Sequence, residues 1–240
     1  MFVLGWYTVY TRITTTAQEE RDMYIGHTLP QRPIPFDEFD PDFLANWAKN
    51  TIMPTIKGER QRLILQNFID HASAECQGDF DSLMASCSLK RQDYRRWGNG
   101  DDGKMDGIQP SSYDELKDFY ANLVAFNLFV IHLEPEKFIV GEDTLVIEGN
   151  VHQMYPGAML PVAFGLDVDD EDAVYMLTIR MCLFFIFDED GMGCGEQSYT
   201  NGNPTLDSFV KVPKDKVPQR FWDNMKKYQE QGQGEYRDII

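Results

Sequence analysis

The feature that most constrains this chain is a change of hydrophobic period at Asn127. Before it, Ile64, Phe68 and Ala72, beside Leu65, Ile69 and Cys76, form one apolar stripe that predicts a long helix from about Glu59 to Cys76. Gly78 ends that helix, and Asp79 can cap a short one carrying Leu83, Met84 and Cys87. Ser112 and Glu115 form a capping box for a third helix, which buries Leu116, Phe119 and Leu123. Beyond Asn127, the segments Phe129–Phe138, Leu145–Tyr155 and Tyr175–Phe187 are rich in β-branched and aromatic residues and are separated by Gly-Glu-Asp and Asp-Glu-Asp-Gly turns. Helices first and a strongly curved antiparallel sheet second predict an α+β fold, with the sheet wrapped around the helices to enclose an apolar pocket.

The flanks carry weaker signals. Phe2, Val3, Leu4, Trp6, Tyr7, Val9 and Tyr10 lack a basic leader and a small-residue cleavage site, so Met1–Thr16 reads as part of the fold. Residues 17–40 are polar and proline-rich and read as a surface arm. Asp40-Pro41 opens a short helix over about 41–50, and a terminal helix at 217–230 carries Phe221, Trp222, Met225 and Tyr228. Three parts follow: an N-terminal extension (1–57), an α+β barrel domain (58–205) and a C-terminal helical extension (206–240).

Charge and cysteine usage exclude several classes. Lys and Arg number 22 against 39 Asp and Glu, a net −17 that repels phosphate backbones, so no nucleic-acid partner is expected. No apolar run approaches the ~20 residues needed to cross a bilayer, which argues against membrane insertion. Cys76, Cys87, Cys182 and Cys194 form no C-x-x-C pair and have no histidine at zinc-ligand spacing, so no metal site is expected and a reducing cytoplasm fits. Asn203-Pro204-Thr205 is blocked as a glycosylation acceptor by its proline.

Alternation along 145–155 puts Val146, Glu148, Asn150 and His152 on one sheet face and Leu145, Ile147, Gly149 and Val151 on the other. If the polar face lines the pocket, His152 can act as general base and Glu148 as a second acid/base, with Asn150 contacting substrate; otherwise it is the solvent face of a half-buried sheet. His132 ends an apolar strand and is a third catalytic candidate, or a hydrogen-bonded sheet-end histidine. Tyr155, ahead of Pro156-Gly157, can donate to a substrate oxygen, or packs in the turn. Glu196 and Tyr199 can brace the site from the final strand, and Phe68 can face the substrate from the long helix. Asp70 and His71 diverge by about 100° on that helix and read as a solvated face. The basic run Lys90, Arg91, Arg95 and Arg96, with Tyr94 and Trp97, is expected to pair with local carboxylates. Gly98–Gly103 matches G-x-G-x-x-G without a leading apolar strand or a following helix. The loops opening at Asp102 and Asp188 imitate a calcium loop but carry Tyr113 and Tyr199 where the bidentate Glu belongs.

The motif order of helix, Gly-Asp turn, helix and long strands has two telling stretches, E-D-T-L-V-I-E-G-N-V-H-Q-M-Y-P-G at 142–157 and F-D-E-D-G-M-G-C-G-E-Q-S-Y at 187–199. Over about 60–200 it resembles the SnoaL-like branch of the nuclear transport factor 2-like superfamily. The resemblance implies a cone-shaped α+β barrel with a pocket between sheet and helices, in which a histidine at the position of His132 often points inward. Two acids of the family are replaced: Cys76 stands where an aspartate is common on the first long helix, and the strand before F-D-E-D-G reads M-C-L-F-F-I-F. The resemblance implies a cofactor-independent acid/base enzyme, a cyclase, isomerase, dehydratase or hydratase acting on a hydrophobic small molecule. It equally accommodates a non-catalytic binder of such a molecule, or a dimeric interaction module in which an apolar stripe of Leu145, Ile147 and Val151 joins two copies. A homodimer is the expected assembly.

Overall fold

The computed structural model describes residues 29–97 and 109–230; the apolar stretch at 2–10, the first part of the arm and the glycine-rich loop at 98–108 lie outside them, as does the side chain of Tyr228. The arm from Leu29 leads into α1 (Phe43–Trp47), which continues through a π turn (Ala48–Ile52) and a 3-10 turn (Met53–Thr55). Next come α2 (Glu59–Gln77), α3 (Phe80–Ala85), β1 (Asp93–Trp97), α4 (Tyr113–Ala125), β2 (Ile131–Val140) and β3 (Thr144–Pro156). The chain continues with α5 (Met159–Phe164), β4 (Val174–Phe187), β5 (Gly193–Thr200), β6 (Phe209–Val212) and α6 (Gln219–Glu230).

Local chemistry sets the helix ends. Gly78 takes the left-handed φ of 63° that ends α2, and Asp79 accepts a hydrogen bond from the Ser82 amide to start α3. Ser112 caps α4 through the Glu115 amide at 3.3 Å, but the Glu115 carboxylate returns to the amide and hydroxyl of Ser111, each at 2.8 Å, one residue upstream of the capping box read from sequence.

The sheet runs β1-β5-β4-β3-β2, with β6 on the first residues of β4. All pairings are antiparallel except β1 with β5. Strands β1 and β2 end the order without pairing each other, so the curved sheet stays open and the expected barrel does not close. Bulges at Pro135/Lys137 and Ile186/Phe187 bend its long strands. Strand β1, short and charged, carried no strand signal.

Alternation in β3 holds, and both faces are covered. Leu145, Ile147, Val151 and Tyr155 join Phe138, Ile179 and Leu183 against Ile64, Leu65 and Phe68 of α2 and Trp47 of α1. The stripe considered for dimer contact is therefore core: Leu145, Ile147 and Val151 are 0%, 0% and 5% exposed, because α1 and α2 lie over them. The opposite face buries Val130, Met154 and Met176 beneath Ile34 and Phe39 of the arm and Val212, Val217 and Phe221 of the C-terminal region. Both segments read as extensions thus contribute to the core, and β6 is a strand of the same sheet.

Gly149 sits opposite the β2 bulge, where an added Cβ would lie 2.0 Å from the Glu134 carbonyl oxygen. Gly149→Ala is expected to destabilise the fold by about 2 kcal/mol or more, read from urea unfolding.

Candidate functional site

On α2, Phe68, His71 and Glu75 follow one another at three- and four-residue spacing, so they share the stripe turned toward the sheet. The parallel register of β1 with β5 sets Tyr94 beside Glu196 on that same side, and α4 contributes Tyr120. His71, Tyr94 and Tyr120, with Ser86, form a directed hydrogen-bond chain. The Ser86 hydroxyl donates its one proton to the Leu83 carbonyl at 2.5 Å, so it accepts from Nδ1 of His71 at 2.8 Å. The Nε2 of a neutral His71 then accepts from the Tyr120 hydroxyl at 3.2 Å, and the Tyr120 oxygen accepts from Tyr94 at 3.1 Å. Burial supplies the neutral imidazole by lowering the His71 pKa to about 4. It also raises both tyrosine hydroxyls well above their ordinary value.

Glu75 and Glu196 face this chain. Both side chains are partly accessible, and neither carboxylate has a hydrogen bond or ion pair with a described residue. Burial, and then the negative charge of Glu196, raises the Glu75 carboxyl far above the ordinary carboxylate range. Burial raises Glu196 as well, against the pull of the nearby Arg96 guanidinium. Both carboxyls are thus shifted toward the protonated form, the kind of perturbation acid/base sites use. A cavity of about 10 Å³, room for one water molecule, lies beside the chain among Asn67, Phe68, His71, Tyr94 and Gly195, and the buried Asn67 Oδ1 has no partner among the described residues. Half-buried Leu123, Phe126, Phe164 and Met181 pack against the core on this side.

The residues singled out from sequence divide between the two faces. Phe68 and Glu196 belong to the group just described. Tyr155 is on the same face but toward the other end of β3, its hydroxyl donating to Gln153 Oε1 at 2.7 Å and its ring edge-on to Phe164 and Phe209; burial pushes it up to about 12. His132, Glu148, Asn150, His152 and Tyr199 are on the opposite face, away from α2. There His132 and His152 are register partners with ring centres 5.9 Å apart. His152 is wholly buried, with Nδ1 on the Thr178 hydroxyl at 2.9 Å and Nε2 on the Glu134 carboxylate at 3.1 Å. His132 stacks on Phe43 and accepts from the Asp40 amide at 3.0 Å; burial, then the charge of His152, lowers its pKa to about 4. Asn150 donates to the Pro30 carbonyl at 3.1 Å. Glu148 pairs with Lys137 and Arg180, and Tyr199 stacks on Trp97 at the surface. Alternation grouped these side chains correctly but could not say which face meets the helices.

Sequence reasoning missed His71, Glu75, Tyr94 and Tyr120. His71, read as a solvated residue, is 6% exposed, while Asp70 points outward to Gln66. The available signal was the continuation of the Ile64–Phe68 stripe to positions 71 and 75. Of the basic run, Lys90 pairs with Asp188, Glu189 and Asp190 and Arg95 with Asp93, whereas Arg91 and Arg96 have no ion pair among the described residues. The Asp188 loop is an ordinary turn in which Asp188 accepts from the amides of Asp190 and Met192.

No family model and no curated protein matches this sequence. Solved structures do. The chain is similar to a protein described as a SnoaL-like polyketide cyclase from Shewanella putrefaciens, at 11% identity and a TM-score of 0.47, covering 73% of this chain and 93% of that one. It is also similar to an NTF2-like protein of unknown function from Burkholderia pseudomallei, at 14% identity and a TM-score of 0.40 over 57% of this chain and 90% of that one. A computationally designed 17-OHP binder matches at 9% identity and a TM-score of 0.40 over 63% and 98%.

Two of the buried histidines, His71 and His132, give a stability signature. A histidine whose folded pKa lies below its unfolded value costs stability as pH falls, because the unfolded chain takes up the proton first. For His71 and His132 the window runs from about 6.5 down to about 4, at up to ~1.4 kcal/mol per pH unit for each. His132→Gln is expected to remove one of these two contributions, seen as a shallower loss of urea midpoint across that window.

Proposed function

We propose that this protein is a cofactor-independent acid/base enzyme that moves a proton on an apolar small molecule bearing a carbonyl group. The observation that carries the reading is the pair Glu75 and Glu196, without a partner among the described residues, set on the helix-facing side of the sheet with their pKa values raised. The face with His132 and His152 offers less, since both ring nitrogens of His152 are engaged and the arm packs over its neighbours. At neutral pH one carboxylate removes a proton from the carbon beside the carbonyl, and its protonated partner donates a hydrogen bond to the oxygen on which charge develops. Return of a proton to a different carbon gives isomerisation, and attack of the enol carbon on a second carbonyl gives cyclisation. The half-buried Leu123, Phe126, Phe164 and Met181 form an apolar surface for the rest of the molecule. The cavity described holds one water, so a larger ligand binds only with movement of side chains around it.

Proton exchange tests this whatever the product of the reaction. Hydrophobic ketones incubated with the protein in deuterium oxide are expected to gain deuterium beside the carbonyl, followed by NMR. Glu75→Gln or Glu196→Gln is expected to slow that exchange about 100-fold or more while the protein stays folded. Equal exchange in wild type and both variants overturns the reading. Tight binding of a ketone with no exchange favours the non-catalytic binder instead.

A further inference from the structure

Among the cations of the basic run, Arg96 has a distinct position. Tyr94 faces the helices, so Arg96, two residues along β1, projects to that same side. It is exposed at the end of the strand, in register with Ser198 of β5, two residues beyond Glu196. Its positive charge is felt at two groups lying apart on this face, the Glu196 carboxyl and the Tyr155 hydroxyl. Strand alternation and register thus place Arg96 on the side of the sheet that carries Glu196, two residues further along. Although the chain carries a net −17, Arg96 has no hydrogen bond or ion pair among the described residues. Lys90 and Arg95 of the same run are both paired.

We propose that Arg96 receives an anionic group of the ligand, so that the site takes an apolar molecule carrying a carboxylate or similar anion. A guanidinium presents a planar fork of donors that a carboxylate or sulfonate can accept in pairs, and it cannot lose its charge. Held there, the anion offsets the long-range repulsion of an acidic protein and leaves the apolar body over the half-buried aromatic and aliphatic wall. The carbon that reacts then lies toward Glu75 and Glu196. This assignment rests on the proposed acid/base site and names its ligand class.

Two fluorescent probes separate the two ideas. Anilinonaphthalene sulfonate is an apolar anion, and phenylnaphthylamine is the same ring system without the sulfonate. Both are titrated against the full chain at low and moderate salt. Wild type is expected to bind both, and Arg96→Gln to weaken the sulfonate roughly tenfold or more while leaving the neutral probe unchanged. Arg96→Lys, which keeps the charge, is expected to recover part of the loss, and Arg91→Gln to change neither probe. Unchanged sulfonate affinity in Arg96→Gln, or an equal loss of both probes, overturns the role of Arg96 and leaves the acid/base reading standing. Failure of wild type to bind the neutral probe removes the apolar site and both proposals with it.

Discussion

Both faces of the long β3–β4 pair are buried, and most of the structure follows from how each is covered. A sheet that is apolar on one side and mixed on the other cannot leave either side wet without cost, because its inward residues include Leu145 and Ile147 and its outward residues include His152 and Met154, all fully buried. Helices α1 and α2 cover the first face. The arm and the C-terminal segment cover the second, with Ile34, Phe39, Val217 and Phe221 as apolar anchors and the Leu29 amide and Pro30 carbonyl as polar ones. Under the arm His152 pairs with Thr178 and Glu134 and Arg180 with Glu136 and Glu148, while Asn150 Oδ1 and Arg180 Nη1 have no hydrogen-bond partner among the described residues.

The helix-facing side is different in kind. Tyr94, Tyr120, His71 and Ser86 form a chain ending on a backbone carbonyl, in which protons point from Tyr94 through Tyr120 to His71 and from His71 through Ser86 to Leu83. That order leaves Glu75 and Glu196 outside the chain. Desolvation of these partly accessible carboxyls, which have no partner among the described residues, raises their pKa values. Sites at which a fold keeps an unsatisfied acid are where chemistry is expected.

Much of the fold was legible in the residues. The stripe in α2, the caps at Asp79 and Ser112, and the three long strands all appear where spacing and turn chemistry put them. Strands β1 and β6 were not, because five and four residues with several charges carry no period; tertiary pairing alone makes them strands. Of the proposed site, Phe68 and Glu196 were named from the sequence and Glu75 was not. A glutamate in the last turn of a helix reads as solvated, and only the sheet packed against α2 shows that it points inward. The neighbouring Cys76 turns toward the Ile131 carbonyl and Arg220. Sequence alternation sorted the β3 side chains into two sets, but the choice between faces depended on where the helices and the arm lie, which is long-range information.

The most direct measurement of the central claim is a carbon NMR titration of the glutamate side-chain carboxyls, with Glu75 and Glu196 assigned from their Gln variants. The account expects this pair to titrate in linked steps, at least one of them well above the ordinary value of 4.5, and replacement of either residue to bring the other's titration down. Complete ionisation of both groups below about pH 5.5, independently of each other, would contradict it.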